Sequence, residues 1–218
     1  MSRDSSDKPA IIFDFGGVLL NLDFQATINA FHRLMGQSIQ YNQLQQEDFF
    51  DQLERGSISA TDFRQRMRQA AGGVDITDAM IDDAWNAMLG DLPRERIAFL
   101  QELAADFRLF LLSNTNEIHK AAFDKTLEAS FGGNSNGFDQ LFEAAYYSHL
   151  IGERKPDAAA YQYIISRHEL DPKKTWFIDD NPFNIAGAAA LGIQCVHLQS
   201  DLMLWYQNTG QQLFYAKS

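Results

Sequence analysis

The chain has 218 residues, of which 45% are hydrophobic, a composition typical of a folded globular protein that excludes an extensively disordered one. Its formal net charge of -11 at pH 7 repels nucleic acids and anionic membranes, so we expect neither as a partner. The sequence contains no apolar run of bilayer length, no secretory signal pattern and a single cysteine, Cys195, which together predict a cytoplasmic protein of unspecified oligomeric state.

The first predicted element is a buried strand, and a helical insert follows it. The apolar run from Pro9 to Phe13 ends at Asp14 and is followed by Gly16 and Gly17, a pattern typical of a strand and a tight turn. From Leu22 to Leu92, apolar residues recur at three- and four-residue spacings, which predicts a small helical bundle. Its helix starts and turns are indicated by Ser59 with Asp62, Thr77, Gly56, and Gly72 with Gly73.

The remainder of the chain alternates between helices and strands. Such alternation predicts right-handed crossovers, and therefore an α/β fold with a doubly wound, mostly parallel sheet. The chain thus divides into a core, residues 1–21 and 93–218, and an insert, residues 22–92, with an extra helix expected over residues 200–218. The predicted strands are Leu109–Leu112, Ala144–Tyr147, Thr175–Ile178 and Gln194–His197, and the predicted helices are Arg94–Ala105, Ile118–Leu127, Ala158–His168 and Ile185–Leu191.

Polar residues follow several of the predicted strands. Asp14 comes after the first strand, Ser113 and Asn114 after the second, Lys155 in the loop after the third, and Asp179 with Asp180 after the fourth. Ligands of open parallel sheets bind beyond the carboxyl ends of the strands, so we expect these side chains to converge. Three converging carboxylates require a cation, and Mg²⁺ prefers oxygen ligands. Lys155 and Ser113 are then suited to hold phosphoryl oxygens.

Each of these residues, taken alone, is also compatible with an ordinary structural role. The alternatives are a turn bond for Asp14, helix N-caps for Ser113 or Asn116, Asp157 and Asp180 or Asn181, and a solvated loop for Lys155. These roles are independent of one another, and they do not explain why polar residues gather at one sheet edge. The conjunction therefore favours a functional site.

Four ordered segments of the sequence resemble the motifs of the haloacid dehalogenase-like hydrolases. They read FDFGGVL from Phe13, LLSNT from Leu111, ERKPD from Glu153 and FIDDNPFNIAGA from Phe177. The resemblance implies a Rossmann-like catalytic core, and the insert lies where that family places its cap domain. The residues after Asp14 are similar to the branch of the family that contains a bacterial α-D-glucose-1-phosphate phosphatase.

The resemblance also implies a reaction and a set of roles. Asp14 would attack the phosphorus of a small phosphorylated metabolite and form an aspartyl-phosphate, which water then hydrolyses. Magnesium would be held by Asp14, the carbonyl of Gly16 and Asp180, with Asp179 nearby or bound through water. The phosphoryl oxygens would be held by Ser113, Lys155 and the backbone N–H of Asn114, and Asn184 matches a position that is often a second acid.

One departure from the family pattern opens alternatives. Phosphatases of the family usually carry a general acid–base aspartate two residues after the nucleophile, where this chain has Gly16. The leaving group then needs little protonation, or another residue supplies the proton, or the protein binds phosphate with little turnover. A metal-independent dehalogenase using Asp14 on carbon is a further alternative, as is a response-regulator receiver, although receivers carry the acidic pair on the first strand. In the insert, Arg55 is the candidate for contacting a second anionic group of the substrate.

Overall fold

The computed structural model describes residues 8–36, 39, 48–72, 74–134 and 136–215. Its centre is a five-stranded parallel sheet with the order β3-β2-β1-β4-β5. The first strand therefore lies in the middle and pairs with β2 on one side and β4 on the other. The strands are β1 (Ala10–Phe13), β2 (Arg108–Ser113), β3 (Ala144–Tyr147), β4 (Thr175–Asp179) and β5 (Gln194–His197).

Helices cover both faces of the sheet, as a parallel sheet buried on two sides requires. Alternate residues of a strand point to opposite faces, so Ile11 and Phe13 enter one apolar cluster and Ile12 enters the other. The helices of the core are α5 (Arg94–Leu103), α6 (Glu117–Ser130), α7 (Ser148–Ile151), α8 (Ala158–Arg167) and α9 (Pro182–Ala189). The predicted α/β class and parallel sheet are confirmed.

The insert is helical and has an apolar cluster of its own. Its helices are α1 (Phe24–Met35), α2 (Asp48–Glu54), α3 (Ala60–Ala70) and α4 (Asp78–Asn86). Phe31, Phe50, Phe63 and Trp85 are fully buried at its centre, and Ile118 of α6 joins the cluster from the core. Ser59 forms the predicted capping box with Asp62, and Thr77 caps α4. Gly73, part of a predicted turn, lies outside the described residues.

Two predicted helices differ from the observed ones. The helix expected at Ile185 begins at Pro182, because Asn181 caps it and proline is well suited to a first helical turn. The C-terminal helix is interrupted: α10 (Leu202–Trp205) and α11 (Gln211–Tyr215) flank a π-helical segment from Tyr206 to Gly210, and residues 216–218 lie outside the described part. Leu202, Tyr206 and Phe214 bury this segment against the core.

Across the described ranges, no helix combines the length and the apolarity that a membrane crossing requires.

Candidate active site

The carboxyl edge of the sheet brings the predicted polar residues together. Residue Phe13 pairs with Leu111 of β2 and with Ile178 of β4, so the residues that follow these positions leave the sheet at one level. Asp14, Ser113, Asn114, Lys155 and Asp180 all line the same cavity, whose volume is about 400 Å³. The predicted convergence of these residues is therefore present in the structure.

Lys155 is the cation at the centre of this edge. Its ammonium lies 2.6 Å from Asp14 Oδ1 and 2.8 Å from Asp179 Oδ2, and the side chain is only 1% exposed. Burial alone would lower the pKa of Lys155, but the two carboxylates outweigh burial and raise it above its ordinary value. The lysine is therefore a fixed positive charge, not the solvated loop residue of the alternative interpretation.

Burial and the neighbouring charged groups together set the pKa of Asp14. Burial raises the pKa of Asp14 well above its ordinary value, Lys155 acts to lower it, and the carboxylates of Asp179 and Asp180 raise it further. Asp14 Oδ1 also accepts a hydrogen bond of 2.7 Å from the Phe15 N–H, and the Asp14 N–H donates to the Ile178 carbonyl. These bonds fix the carboxylate at the end of β1, facing the cavity.

The two adjacent aspartates after β4 have different environments. Asp179 is fully buried, and its oxygens accept hydrogen bonds from Lys155 Nζ, the Asn181 N–H and Asn184 Nδ2. Asp180 instead lines the cavity. Asn184 therefore acts here as a donor that holds Asp179, and Asp180 is the member of the pair placed for a ligand.

The donor set fits a divalent cation. Oxygens of Asp14, Asp179 and Asp180 all lie within 4.8 Å of one another. With all three carboxylates ionised the cluster would carry -3 against the +1 of Lys155, and this excess of negative charge is one reason that the pKa of Asp14 is raised. Carboxylate oxygens are preferred ligands of Mg²⁺, and a nearby cation would favour the ionised form of Asp14. Asp14 and Asp180, which line the cavity, are the residues that would hold the ion.

Two positioning features were not found from the sequence. The side chain of Asn114 brackets the backbone of Lys155, donating to its carbonyl and accepting from its N–H, each at 2.9 Å. Gly17 has a φ of 78°, and a Cβ placed there would overlap the carboxylate of Asp180. The sequence indicated a turn at Gly17, but a contact with a residue more than 160 positions away has no local signal.

The insert closes one side of the cavity. An apolar wall faces the charged edge, and Asp51 and Glu54 of α2 add carboxylates that bind Arg154. The apolar lining comprises Phe15, Leu20, Leu22, Phe24, Met88, Leu89, Phe123, Pro156 and Phe183. The cavity thus has a charged end built by the core and a largely apolar end to which both parts contribute.

Arg55, the candidate for contacting a second anionic group of the substrate, pairs with acids of the core in this structure. Its guanidinium bonds to Asp157 and lies 3.8 Å from Glu153, and it is not one of the residues that line the cavity. Asp157 stands at the N-cap position of α8 but makes no capping bond with its side chain, because that side chain pairs with Arg55. Asn116 is the N-cap of α6, and Ser113 belongs to β2.

A family model for haloacid dehalogenase-like hydrolases matches residues 8–192, most of the chain. The chain belongs to this family. A HAD family enzyme from Bacteroides thetaiotaomicron, BT-2542, crystallised with magnesium and inorganic phosphate as a point mutant, is 30% identical and superposes with a TM-score of 0.83, covering 91% of this chain and 98% of that one. A predicted HAD-like hydrolase from Porphyromonas gingivalis is 28% identical, with a TM-score of 0.81 and coverage of 94% and 98%.

The similarity extends to a relative of known activity. D-ribitol-5-phosphate phosphatase of B. thetaiotaomicron is 25% identical over 186 residues, 84% of this chain and 88% of the relative. The expectation that this chain is a phosphatase of the haloacid dehalogenase-like family is confirmed by the agreement of family, fold and relatives. The roles of individual residues and the boundaries of the insert remain predictions.

Proposed function

We propose that this phosphatase is magnesium-dependent and hydrolyses a small phosphorylated sugar or polyol through an aspartyl-phosphate on Asp14. The observation that carries the proposal is the cluster of Asp14, Lys155 and Asp180 at the charged end of a 400 Å³ cavity. Its volume suits a small metabolite. The ribitol-phosphate activity of one relative and the magnesium and phosphate bound to another support the substrate class and the metal.

In the proposed reaction, the residues at the sheet edge have different roles in phosphoryl transfer. Asp14 attacks phosphorus, a carboxylate oxygen–phosphorus bond forms, and the bond from phosphorus to the leaving oxygen breaks. Lys155 and Ser113 hold the phosphoryl oxygens and stabilise the charge that develops on them. A water molecule then attacks the aspartyl-phosphate, which releases inorganic phosphate and regenerates Asp14. Asp14, Asp180 and the Gly16 carbonyl would hold magnesium, which when bound would offset negative charge on the phosphoryl group.

Because Gly16 stands where the family usually has an aspartate, the leaving oxygen lacks its usual proton donor. Among the titratable groups that line the cavity, Asp51 and Glu54 are engaged by the Arg154 guanidinium, and burial lowers the pKa of His119 to about 3. An imidazole that is neutral at pH 7 is not an acid of useful strength. General acid help is worth roughly 10²–10⁴ in rate, so esters with leaving groups of low pKa should be cleaved best.

Phosphate release from three esters, with Mg²⁺ and with excess EDTA, tests this proposal. We expect activity on phenyl phosphate, α-D-glucose 1-phosphate and D-ribitol 5-phosphate with Mg²⁺, and none with EDTA. Phenyl phosphate and α-D-glucose 1-phosphate have the better leaving groups. Comparing the rates on α-D-glucose 1-phosphate and D-ribitol 5-phosphate tests which of the two corresponding phosphatases this chain resembles in substrate preference. Full activity in EDTA would refute the metal role, and release of halide from a 2-haloacid would support the dehalogenase alternative.

The same assay separates a working enzyme from a phosphate-binding protein. No release from any ester, with retained binding of inorganic phosphate, would show that Gly16 marks a loss of turnover. Gly16→Asp supplies the missing acid and should narrow the gap between aryl and alkyl esters. Gly16 does not have a positive φ, and the new Cβ would lie 2.6 Å from Leu22 Cδ1, the mobile end of a side chain, so only a small displacement is needed.

A further inference from the structure

His119 is a buried histidine on α6 that the proposed chemistry does not use. It is 5% exposed, and it lines the active-site cavity. Its ring stacks on Trp85, with centroids 4.7 Å apart and an interplanar angle of 17°. Its Nδ1 lies 2.9 Å from Asn86 Oδ1. The core therefore supplies the imidazole, and α4 of the insert fixes its orientation through two adjacent residues.

These contacts determine the hydrogen-bonding character of the ring. The Asn86 carbonyl oxygen can only accept, so Nδ1 must carry the proton and donate it. The other nitrogen, Nε2, then has a lone pair and can only accept. Burial lowers the pKa of His119 to about 3, which keeps the ring in this neutral form at physiological pH. Within the described part of the chain, Nε2 is buried and has no hydrogen-bond partner.

We propose that His119 is a specificity-determining residue, whose Nε2 accepts a hydrogen bond from a hydroxyl group of the substrate. The inference rests on the proposed phosphatase function and adds to it the means of recognising a hydroxylated substrate. A phosphate monoester is mostly a dianion at neutral pH, and the oxygens of a dianion only accept hydrogen bonds, so the partner of Nε2 is a donor on the organic part of the substrate. A buried polar atom without a partner costs free energy, and a hydroxyl bound there relieves that cost.

The surroundings of His119 strengthen this assignment. Leu22, Met88 and Leu89 of the cavity wall offer no side-chain hydrogen bond to a sugar or polyol. A site built to bond a hydroxyl discriminates strongly against an analogue that lacks it, because its own polar group is then left unpaired. His119 would thus favour hydroxylated substrates over apolar ones, which the apolar wall cannot do.

The test compares D-ribitol 5-phosphate with pentyl phosphate, which has a similar chain and a primary alkyl leaving group but no free hydroxyl. We expect the wild-type protein to favour ribitol 5-phosphate in kcat/KM. His119→Phe keeps an aromatic ring against Trp85 but removes the acceptor, and should lower this preference roughly tenfold, mainly through KM for the polyol ester. His119→Gln, which retains an acceptor oxygen, should restore part of it. His168→Phe, at a histidine bonded to Tyr146 and Glu143, is the matched control and should leave the preference intact.

The outcomes separate this inference from the proposed function. An equal preference in wild type and His119→Phe, with phosphate still released, would overturn the role of His119 and leave the phosphatase assignment standing. Loss of phosphate release from every ester in the wild type would overturn both. If His119→Phe and His119→Gln fail to fold, two measurements on the wild-type protein decide. The inference is refuted if the wild type shows no preference for the polyol ester in kcat/KM. It is also refuted if a ¹⁵N imidazole spectrum shows that His119 is protonated at Nε2.

Discussion

Two of the regions in which opposite charges meet differ in burial. At the sheet edge, the ammonium of Lys155 is 1% exposed and lies within 2.8 Å of two carboxylates. At the insert–core joint, which comprises Asp51, Glu54 and Arg55 near the end of α2 and Glu153, Arg154 and Asp157 of the core, most of the paired side chains are partly exposed. Water screens the joint but not the edge.

The difference indicates what each region does. The edge holds three carboxylates beside one buried ammonium, and any negative charge left unpaired there is unfavourable for folding unless a ligand binds. The joint pairs acids of the insert with a base of the core, and a base of the insert with acids of the core. Its contacts connect the insert to the loop that carries Lys155. The edge is thus organised for chemistry, and the joint for attachment.

The largest expected effect is on catalysis, from Asp14→Asn. The amide keeps the size of the side chain but cannot attack phosphorus, so we expect kcat to fall on the order of 10⁴–10⁶-fold, as for other enzymatic nucleophiles. Removing a carboxylate whose pKa burial already raises should change thermal unfolding little. Phosphate release and circular dichroism melting measure the two effects. Asp83→Asn, at an exposed aspartate of the insert, is the control, and wild-type turnover by Asp14→Asn would remove the covalent role.

The sequence predicted the edge well because its determinants are local. Each residue there follows a short apolar run, and the parallel sheet brings the ends of such runs together without further information. The polar residues of the cavity's charged end follow from this rule.

The joint was not predictable in the same way. Arg55 and Asp157 are 102 residues apart, and neither lies next to a pattern that specifies its partner. Arg55 was therefore predicted to contact substrate, whereas the structure pairs it with acids of the core. His119 was missed for a similar reason: its position on α6 reads as an ordinary helical residue until Trp85 and Asn86 are brought against it.

A second prediction compares the two sets of ion pairs in the joint, those of Arg154 and those of Arg55. The Arg154 side chain is 15% exposed and bonds to Glu54, whose side chain is 6% exposed, whereas the Arg55 side chain is 30% exposed with more open partners. Arg154→Ala removes the guanidinium that binds the nearly buried Glu54 carboxylate, so it should lower the free energy of unfolding by about 2–4 kcal/mol. Arg55→Ala should cost less than about 1 kcal/mol. Urea denaturation measures both.

A double variant shows whether the Arg154 effect comes from the pair. Adding Glu54→Ala to Arg154→Ala should recover part of the lost stability, because the buried carboxylate that had lost the Arg154 guanidinium is then absent as well. Equal costs for Arg55→Ala and Arg154→Ala would mean that burial does not distinguish the two halves of the joint.

The last expected effect is the contribution of His119 to the pH dependence of stability. Burial lowers its pKa in the folded state to about 3, compared with 6.5 as the ordinary value. Between these values the unfolded chain binds a proton at this residue and the folded chain does not, so acidification favours unfolding. The free energy of unfolding should therefore fall by roughly 1.4 kcal/mol for each pH unit below about 6.5 from this residue alone. His119→Phe should remove that contribution, and urea denaturation at pH 7, 6 and 5 measures the difference.

Comparing His119→Phe with the wild type isolates this residue from opposing effects. The raised pKa of Asp14 acts in the other direction, because the folded chain then takes up a proton first, but Asp14 is common to both proteins and cancels in the difference. His168→Phe is again the control: burial also lowers the pKa of His168, but its side chain is 16% exposed and an acidic partner, Glu143, opposes the shift. For His168→Phe we expect a smaller change in the slope of the free energy of unfolding against pH. Curves for wild type and His119→Phe that run parallel from pH 7 to 5 would mean that His119 binds its proton equally in the folded and the unfolded chain, so burial would not keep the ring neutral as the pH falls below 6.5.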